Sequence, residues 1–186
     1  VVTDGAGGSV EQSLAITING SNDAPSSSGA VTNSNAREAG VDGSGAVAAV
    51  TATGVADALF ANLSDVDDVV AAFLVAQAKE TTVGTLASVT GADAANGTSV
   101  TGLYGTIKIG TDGSYSYVVD DANSTVQALD ETQTLDDSFT VVVTDGAGGS
   151  VEQSLAITIN GSNDAPSSSG VVTNSNAREA GVDGSG

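Results

Sequence analysis

The side chains of this sequence that could support chemistry are almost all carboxylates. Asp and Glu number 23, against 4 Lys and Arg, and the chain contains no His and no Cys. Carboxylate and amide oxygens are the ligands of Ca²⁺, which takes about six to eight of them, whereas softer metals depend on imidazole or thiolate. The composition therefore indicates either a protein that binds divalent cations or a surface that stays soluble at high ionic strength.

The spacing of the acidic residues separates candidate ligands from turn residues. Asp65 and Asp67 are two residues apart, so both side chains point to one side of an extended segment, as a shared metal site requires. Asp145 is either a ligand or an ordinary residue of an Asp-Gly turn. The pairs Asp120-Asp121 and Asp136-Asp137 fit solvated loops, since turns favour Asp for backbone reasons alone.

The same composition excludes several classes of function. Without His or Cys the chain cannot form the usual nucleophilic triads and dyads. Two carboxylates can hydrolyse a glycosidic bond, but here the carboxylates fall at predicted domain ends, away from aromatic residues that could hold a sugar. A formal charge of −19 repels nucleic acid and anionic membranes. No apolar run approaches the ~18–20 residues of a membrane span. We therefore predict a non-enzyme that binds no nucleic acid and does not insert into a membrane.

An internal repeat is the strongest pattern in the chain. Residues 1–45 recur at 142–186, an offset of 141, with Ala30 replaced by Val171 as the one difference. A period of this length is too long for a solenoid, so each unit should be a domain with its own core. We predict that residues 1–25 are the last strand and linker of one repeat, that residues 26–166 are a complete β-sandwich repeat, and that residues 167–186 open the next.

Alternating apolar residues and turn residues predict the elements that position the carboxylates. Two hairpins are the clearest, and they cover residues 138–160 and 106–119. Residues 82–90 indicate a further strand and residues 91–99 a loop. Residues 67–80 fit a helix or a buried strand, of which the β-rich surroundings favour the strand. Together these segments predict an all-β, Greek-key β-sandwich of about seven to nine strands.

The linker motif Asn-Gly-Ser-Asn-Asp-Ala-Pro follows a predicted terminal strand at residues 19–25 and again at 160–166. With three further stretches, at residues 64–68, 104–115 and 137–146, it resembles the bacterial cadherin-like and VCBS repeats in the extender regions of large RTX adhesins. The resemblance implies an Ig-like or cadherin-like sandwich. The chain has no Gly-Gly-x-Gly-x-Asp nonapeptide, so it does not resemble the calcium-folding tail of those proteins.

The resemblance also implies Ca²⁺ at the junctions between repeats. Cadherins carry acidic and amide ligands in the linker, at the end of the first strand, between the second and third strands, ahead of the sixth and in the last hairpin. The matching positions of this sequence are Asn22, Asp23, Glu38, Asp65, Asp67, Asp130, Glu131, Asp145, Asn160, Asn163 and Asp164. Glu38 follows Arg37, so a surface ion pair is the alternative for that residue.

An up-and-down count of seven strands divides these positions between two ends of the domain. Asp65, Asp67 and Asp145 are expected beside the first linker, with Asn22 and Asp23. The remaining positions, Glu38, Asp130, Glu131, Asn160, Asn163 and Asp164, are expected together at the other end. Clusters of this composition suit Ca²⁺.

These observations predict a structural spacer that is made rigid by Ca²⁺ and projects a distal ligand-binding region. The partners would be neighbouring repeats of the same chain, and the distal target would not touch this segment. The resemblance implies type I secretion to a bacterial cell surface. One alternative is an adhesive module that binds carbohydrate or protein on the same sandwich. A second alternative is a passive sandwich attached to a secreted hydrolase, with no dependence on metal.

Overall fold

The computed structural model describes residues 1–42 and 45–166, so the predicted opening of a next repeat at 167–186 lies outside the described residues. Short 3-10 turns occur at Ala58–Phe60 and Val70–Ala72. The strands, in chain order, are β1 (Val2–Thr3), β2 (Ser9–Val10), β3 (Ser26–Ser27), β4 (Val31–Arg37), β5 (Gly40–Asp42), β6 (Gly45–Val47), β7 (Ala52–Gly54), β8 (Leu63–Ser64), β9 (Leu74–Glu80), β10 (Ala87–Ser88), β11 (Thr98–Thr101), β12 (Gly105–Ile109), β13 (Tyr115–Val119), β14 (Thr134–Thr144) and β15 (Ser150–Asn160). Within the described residues no helix has the length and apolar character needed to cross a membrane.

Two larger sheets share one hydrophobic core, which confirms the all-β prediction and is consistent with a β-sandwich. One sheet has five strands in the order β10-β9-β14-β15-β4, and the other has four in the order β11-β12-β13-β7. Tyr117 from the second sheet meets Phe139 from the first edge-to-face, with ring centroids 6.0 Å apart. We call residues 26–166, which supply both sheets, the body.

The antiparallel hairpin β14–β15 is the centre of the core. Its two strands pair over their full lengths, from Thr134↔Asn160 to Thr144↔Ser150. Apolar side chains alternate along β15, and Leu155, Ile157 and Ile159 are fully buried, because period-2 alternation places them on the face that meets the second sheet. The 138–160 hairpin predicted from the sequence is therefore present, although β14 begins four residues earlier.

The strand β4, which comes first in the chain among those of the five-stranded sheet, pairs in parallel with β15, the last strand of the body. The register runs from Leu155↔Val31 to Asn160↔Arg37. Because the two strands run in the same direction, the chain enters the body at one end and leaves it at the other. We call these the upstream end, which carries the 145–149 turn, and the downstream end, which carries Asn160.

Two segments differ from the sequence prediction. Residues 67–80 form a 3-10 turn before the strand β9, so the predicted strand is present only from Leu74. The prediction of a strand over residues 82–90 is wrong except at Ala87–Ser88. The reason is the Glu80 carboxylate, which accepts the backbone N–H groups of Thr82 and Val83 at 2.9 and 2.6 Å and closes a turn directly after β9. Those two donors are no longer free for a sheet.

Candidate metal centre

Asp145 starts the turn between β14 and β15 and is almost fully buried. Its Oδ1 accepts the backbone N–H groups of Ala147, Gly148 and Gly149 at 2.7, 2.9 and 3.0 Å. Its Oδ2 accepts a hydrogen bond of 2.9 Å from the side-chain amide of Asn22, in the first linker. The Asn22 amide and then the turn N–H groups hold the pKa of Asp145 below its ordinary value, so this side chain is an anion at neutral pH.

Two further carboxylates lie beside Asp145, although they are about eighty residues away in sequence. Ligand oxygens of Asp65, Asp68 and Asp145 all lie within 4.8 Å of one another. Asp65 closes a local turn, because its Oδ1 accepts the N–H groups of Asp67 and Asp68 at 3.1 and 3.3 Å. This turn and the 145–149 turn therefore bring three carboxylates from two distant segments together.

The second carboxylate oxygen of Asp65 is unpaired in this cluster. Asp65 Oδ2 is buried, yet it has no hydrogen-bond partner among the described residues. Buried carboxylate oxygens are normally satisfied, and like charges held this close repel one another strongly. A divalent cation would coordinate the unpaired oxygen and would also neutralise the repulsion between the carboxylates. The donor set, which consists of carboxylates with a nearby side-chain amide, fits a hard cation.

The first linker also contacts Asp67, the other half of the predicted Asp65-Asp67 pair. The Asp23 backbone N–H donates to Asp67 Oδ2 over 3.3 Å. The pKa of Asp67 is raised, chiefly by its interaction with the Asp65 carboxyl group and also by the negative charges of Asp65 and Asp23. The predicted grouping of Asp65, Asp67 and Asp145 around Asn22 and Asp23 is therefore present in the structure.

A second acidic group lies at the downstream end. Glu38 directly follows β4 and is fully buried, with its Oε1 accepting the Ser162 N–H at 2.8 Å. Burial raises the pKa of Glu38, the Ser162 bond lowers it, and the negative charges of Asp164 and Asp121 raise it further. Asp121 is held in place by the Ala39 N–H, which donates to its Oδ1 over 3.1 Å. Sequence reasoning expected Glu38 and Asp164 to meet here.

The other predicted ligands at the downstream end form hydrogen bonds within the body or line a cleft. Asp130 Oδ1 accepts the N–H and hydroxyl of Thr132, which lowers the pKa of Asp130 and commits that oxygen to its own turn. Asn160 donates through its Nδ2 to the Ser34 and Ala36 carbonyls at 2.8 Å and fastens the end of β4. Asn163 donates to the Val41 carbonyl, and Glu131 lines an adjacent cleft with Asn160 and Asn163.

Sequence reasoning missed two acidic residues, one at each end. Asp68 was quoted only as part of the 64–68 motif, and Asp121 was assigned to a solvated loop. The signal for Asp68 is the turn that Asp65 closes three residues earlier. Asp121 has no comparable local signal, since its position near Glu38 depends on the path of the loop after β13.

The two copies of the linker contact opposite ends of the body. Asn22 and Asp23 are repeated as Asn163 and Asp164. The first pair contacts Asp145 and Asp67 at the upstream end, whereas Asp164 lies near Glu38 at the downstream end. The same linker sequence therefore lies beside an acidic group at each end of the body.

Comparisons with known proteins do not assign the chain to a family. No model of a known protein family matches it, and no curated protein matches it either.

Proposed function

We propose that the body is one unit of a tandem array of spacers, and that Ca²⁺ bound at each linker fixes the angle between successive units. The observation that carries this proposal is the pair of linker copies. In an array, one linker would lie between the Glu38–Asp121 group of one unit and the Asp65–Asp68–Asp145 cluster of the next. A cation there would be bound by both units and would resist bending between them.

The direction of the chain supports a spacer. The parallel pairing of β4 with β15 places the two linkers at opposite ends, so each unit lengthens the array instead of folding back on it. A strand as long as β15 spans about 36 Å, at roughly 3.3 Å per residue. The Ig-like or cadherin-like Greek-key class belongs to this proposal, as do the resemblance to adhesin extender repeats, type I secretion and a bacterial cell surface.

Because the body is strongly negative, a bound cation would contribute substantially to its stability. The body has 18 Asp and Glu and 3 Lys and Arg, a formal charge of −15, so self-repulsion opposes its compact state. Extracellular calcium modules bind with Kd of ~10⁻⁴–10⁻³ M, so at ~10 mM calcium each site would add roughly 1.4–2.7 kcal/mol. Several sites would supply a substantial part of a typical domain stability of ~5–15 kcal/mol.

The proposal is tested by thermal melting of the whole chain in EDTA and in millimolar CaCl₂. The expected result is a rise in Tm of several degrees when calcium is added. The double variant Asp65→Asn/Asp68→Asn should not show this rise. The matched control is Glu152→Gln, which neutralises an exposed carboxylate on β15 and should keep the full shift. Small-angle scattering of a protein with two consecutive units should show a longer, stiffer particle with calcium. An unchanged Tm together with unchanged scattering would rule the proposal out.

A cleft at the downstream end favours a ligand-binding module as the second candidate. It has a volume of about 620 Å³ and polar lining residues that include Asn35, Arg37, Glu131 and Asn163. None of the described residues that line it is aromatic, whereas carbohydrate sites commonly stack a sugar on a ring. The spacer is therefore preferred. Binding of a sugar or peptide that shifts the NMR signals of Asn35 and Asn163, with no calcium effect on Tm, would reverse that preference.

A further inference from the structure

The two copies of the linker leave no spacer between successive bodies of an array. At the downstream end the linker is bound to the body as far as Asn163, whose carbonyl accepts the Val41 N–H and whose side-chain amide donates to the Val41 carbonyl over 3.1 Å. At the upstream end the contacts begin at Asn22, which donates to Asp145 over 2.9 Å. Asn22 and Asn163 are the same position of the repeat, and the two hydrogens of one amide can serve both contacts. Successive bodies therefore meet at a single linker residue and lie against each other.

The cleft at the downstream end opens beside this shared residue. Asn163 is part of its lining, together with Arg37 and three valines, Val41, Val47 and Val50. The Nε of Arg37 is buried and has no hydrogen-bond partner among the described residues. Buried donors are normally paired, and a guanidinium group pairs best with a carboxylate. The cleft is therefore suited to a segment that carries one carboxylate and one apolar side chain.

The upstream end of the body carries a segment of this kind. Residues 65–68, which we call the acidic turn, read Asp-Val-Asp-Asp and are closed by the Asp65 side chain. Val66 is 88% exposed. Asp67 is also exposed, and it lies outside the group of three carboxylates described above. The acidic turn therefore presents a carboxylate and an apolar side chain side by side.

The linker brings the acidic turn of one unit to the cleft of the unit before it. The Asp23 N–H donates to Asp67 Oδ2 over 3.3 Å. Asp164 is the equivalent of Asp23, so in an array its N–H would hold the Asp67 of the following unit in the same way. Asp164 directly follows Asn163, which lines the cleft. The acidic turn of the following unit therefore lies at the mouth of the cleft.

We infer that the downstream cleft binds the acidic turn of the following unit, with the Arg37 guanidinium paired to Asp67 and with Val66 packed against the valines of the cleft. The inference rests on the proposed array and names the surfaces through which its units touch. The contact needs no calcium, because Arg37 supplies a permanent positive charge from the chain itself. It would restrain the angle between units in addition to any bound cation.

The test uses a protein with two consecutive units, kept in EDTA so that calcium cannot hold the junction. Val50 is 40% exposed and the chain contains no Cys, so Val50→Cys in one unit places a single thiol in the cleft. In the first unit this thiol should react with a maleimide about tenfold more slowly than in the second unit, as a cleft covered about nine-tenths of the time requires. Equal rates would overturn the inference and leave the cleft open to a sugar or a peptide.

The ion pair is tested with Arg37→Gln in the same labelled protein. In the first unit this substitution should raise the labelling rate of the first cleft towards that of the second. The matched control is Arg37→Gln in the second unit, which makes the same change in a body and should leave the first cleft protected. Asp67→Asn in the second unit should act like Arg37→Gln in the first. If Arg37→Gln has the same effect from either unit, the labelling reports loss of structure and the inference is overturned.

The failure of this inference is distinguishable from the failure of the calcium spacer. A rise in Tm with calcium, together with equal labelling rates in EDTA, would keep the spacer and overturn the contact between the cleft and the acidic turn. Slow labelling of the first cleft in EDTA, with no effect of calcium on Tm or scattering, would support that contact and rule out the role of calcium.

Discussion

Residues 1–25 and 142–166 have the same sequence and two different structures. In both copies the Asp-Gly-Ala-Gly-Gly segment forms a turn in which the Asp Oδ1 accepts the backbone N–H groups two and four residues later. Beyond the turn the copies diverge. The second continues as the long, buried strand β15, whereas no strand is assigned after Val10 in the first. Local chemistry is therefore enough for the turn, but the strand depends on neighbours β14 and β4 and on the opposite sheet.

The largest expected difference in stability between the two copies comes from substitutions of their apolar residues. Ile157→Ala should lower the free energy of unfolding by about 2–5 kcal/mol, because it removes a fully buried side chain from a packed core. Ile16→Ala makes the same change in the first copy and should stay within about 0.5 kcal/mol of the unaltered protein. Urea denaturation of both variants measures the difference. Equal losses of stability would mean that the apolar side chains of the first copy are also packed in solution.

The turn should give a smaller difference. Gly148 and Gly7 are equivalent and have φ of 117° and 92°, a region that side chains rarely adopt. Gly148→Ala should cost about 1 kcal/mol of global stability, since this turn joins the two central strands. Gly7→Ala should leave the unfolding midpoint unchanged, because its turn is not part of the body. A measurable shift for Gly7→Ala in the same denaturation experiment would contradict the distinction between the copies.

The smallest effect concerns the acidic residues of the two linkers. Asp164→Asn should lower the pKa of Glu38, whereas Asp23→Asn should lower that of Asp67, because each Asp lies near a different carboxylate. Glu38 has a folded pKa above its ordinary 4.5. Its contribution to stability is therefore lost as pH rises from 4.5 through the folded value, and Asp164→Asn should reduce that loss.

Carbon-detected NMR titration of the side-chain carboxyl groups, without calcium, measures both values directly. The Asp23 variant serves as the control for Glu38, and the Asp164 variant serves as the control for Asp67. If either substitution shifts both carboxyl groups, the two linkers do not lie at separate ends of the body.

Much of the fold could be predicted from the sequence because its signals are local. The turn residues and alternating apolar residues of 138–160 predict the central hairpin, and counting strands places Asp65, Asp67 and Asp145 at one end. The strand predicted at 82–90 was wrong because a single side chain, Glu80, takes the backbone donors after β9. The position of Asp121 beside Glu38 depends on contacts distant in sequence. The sequence also does not show that Ile16 is exposed and Ile157 is buried, because the residues next to them are identical and only their three-dimensional surroundings differ.

The parallel alignment of β4 and β15 has a mechanical consequence. Tension applied to the body through its two linkers would pull the start of β4 and the end of β15 in opposite directions along their common axis. The hydrogen bonds between these strands would then be loaded in shear, so many must break together. An antiparallel pair pulled from one end would instead open one bond at a time. A load applied along the axis of these two strands would therefore meet greater resistance than one that peels them apart.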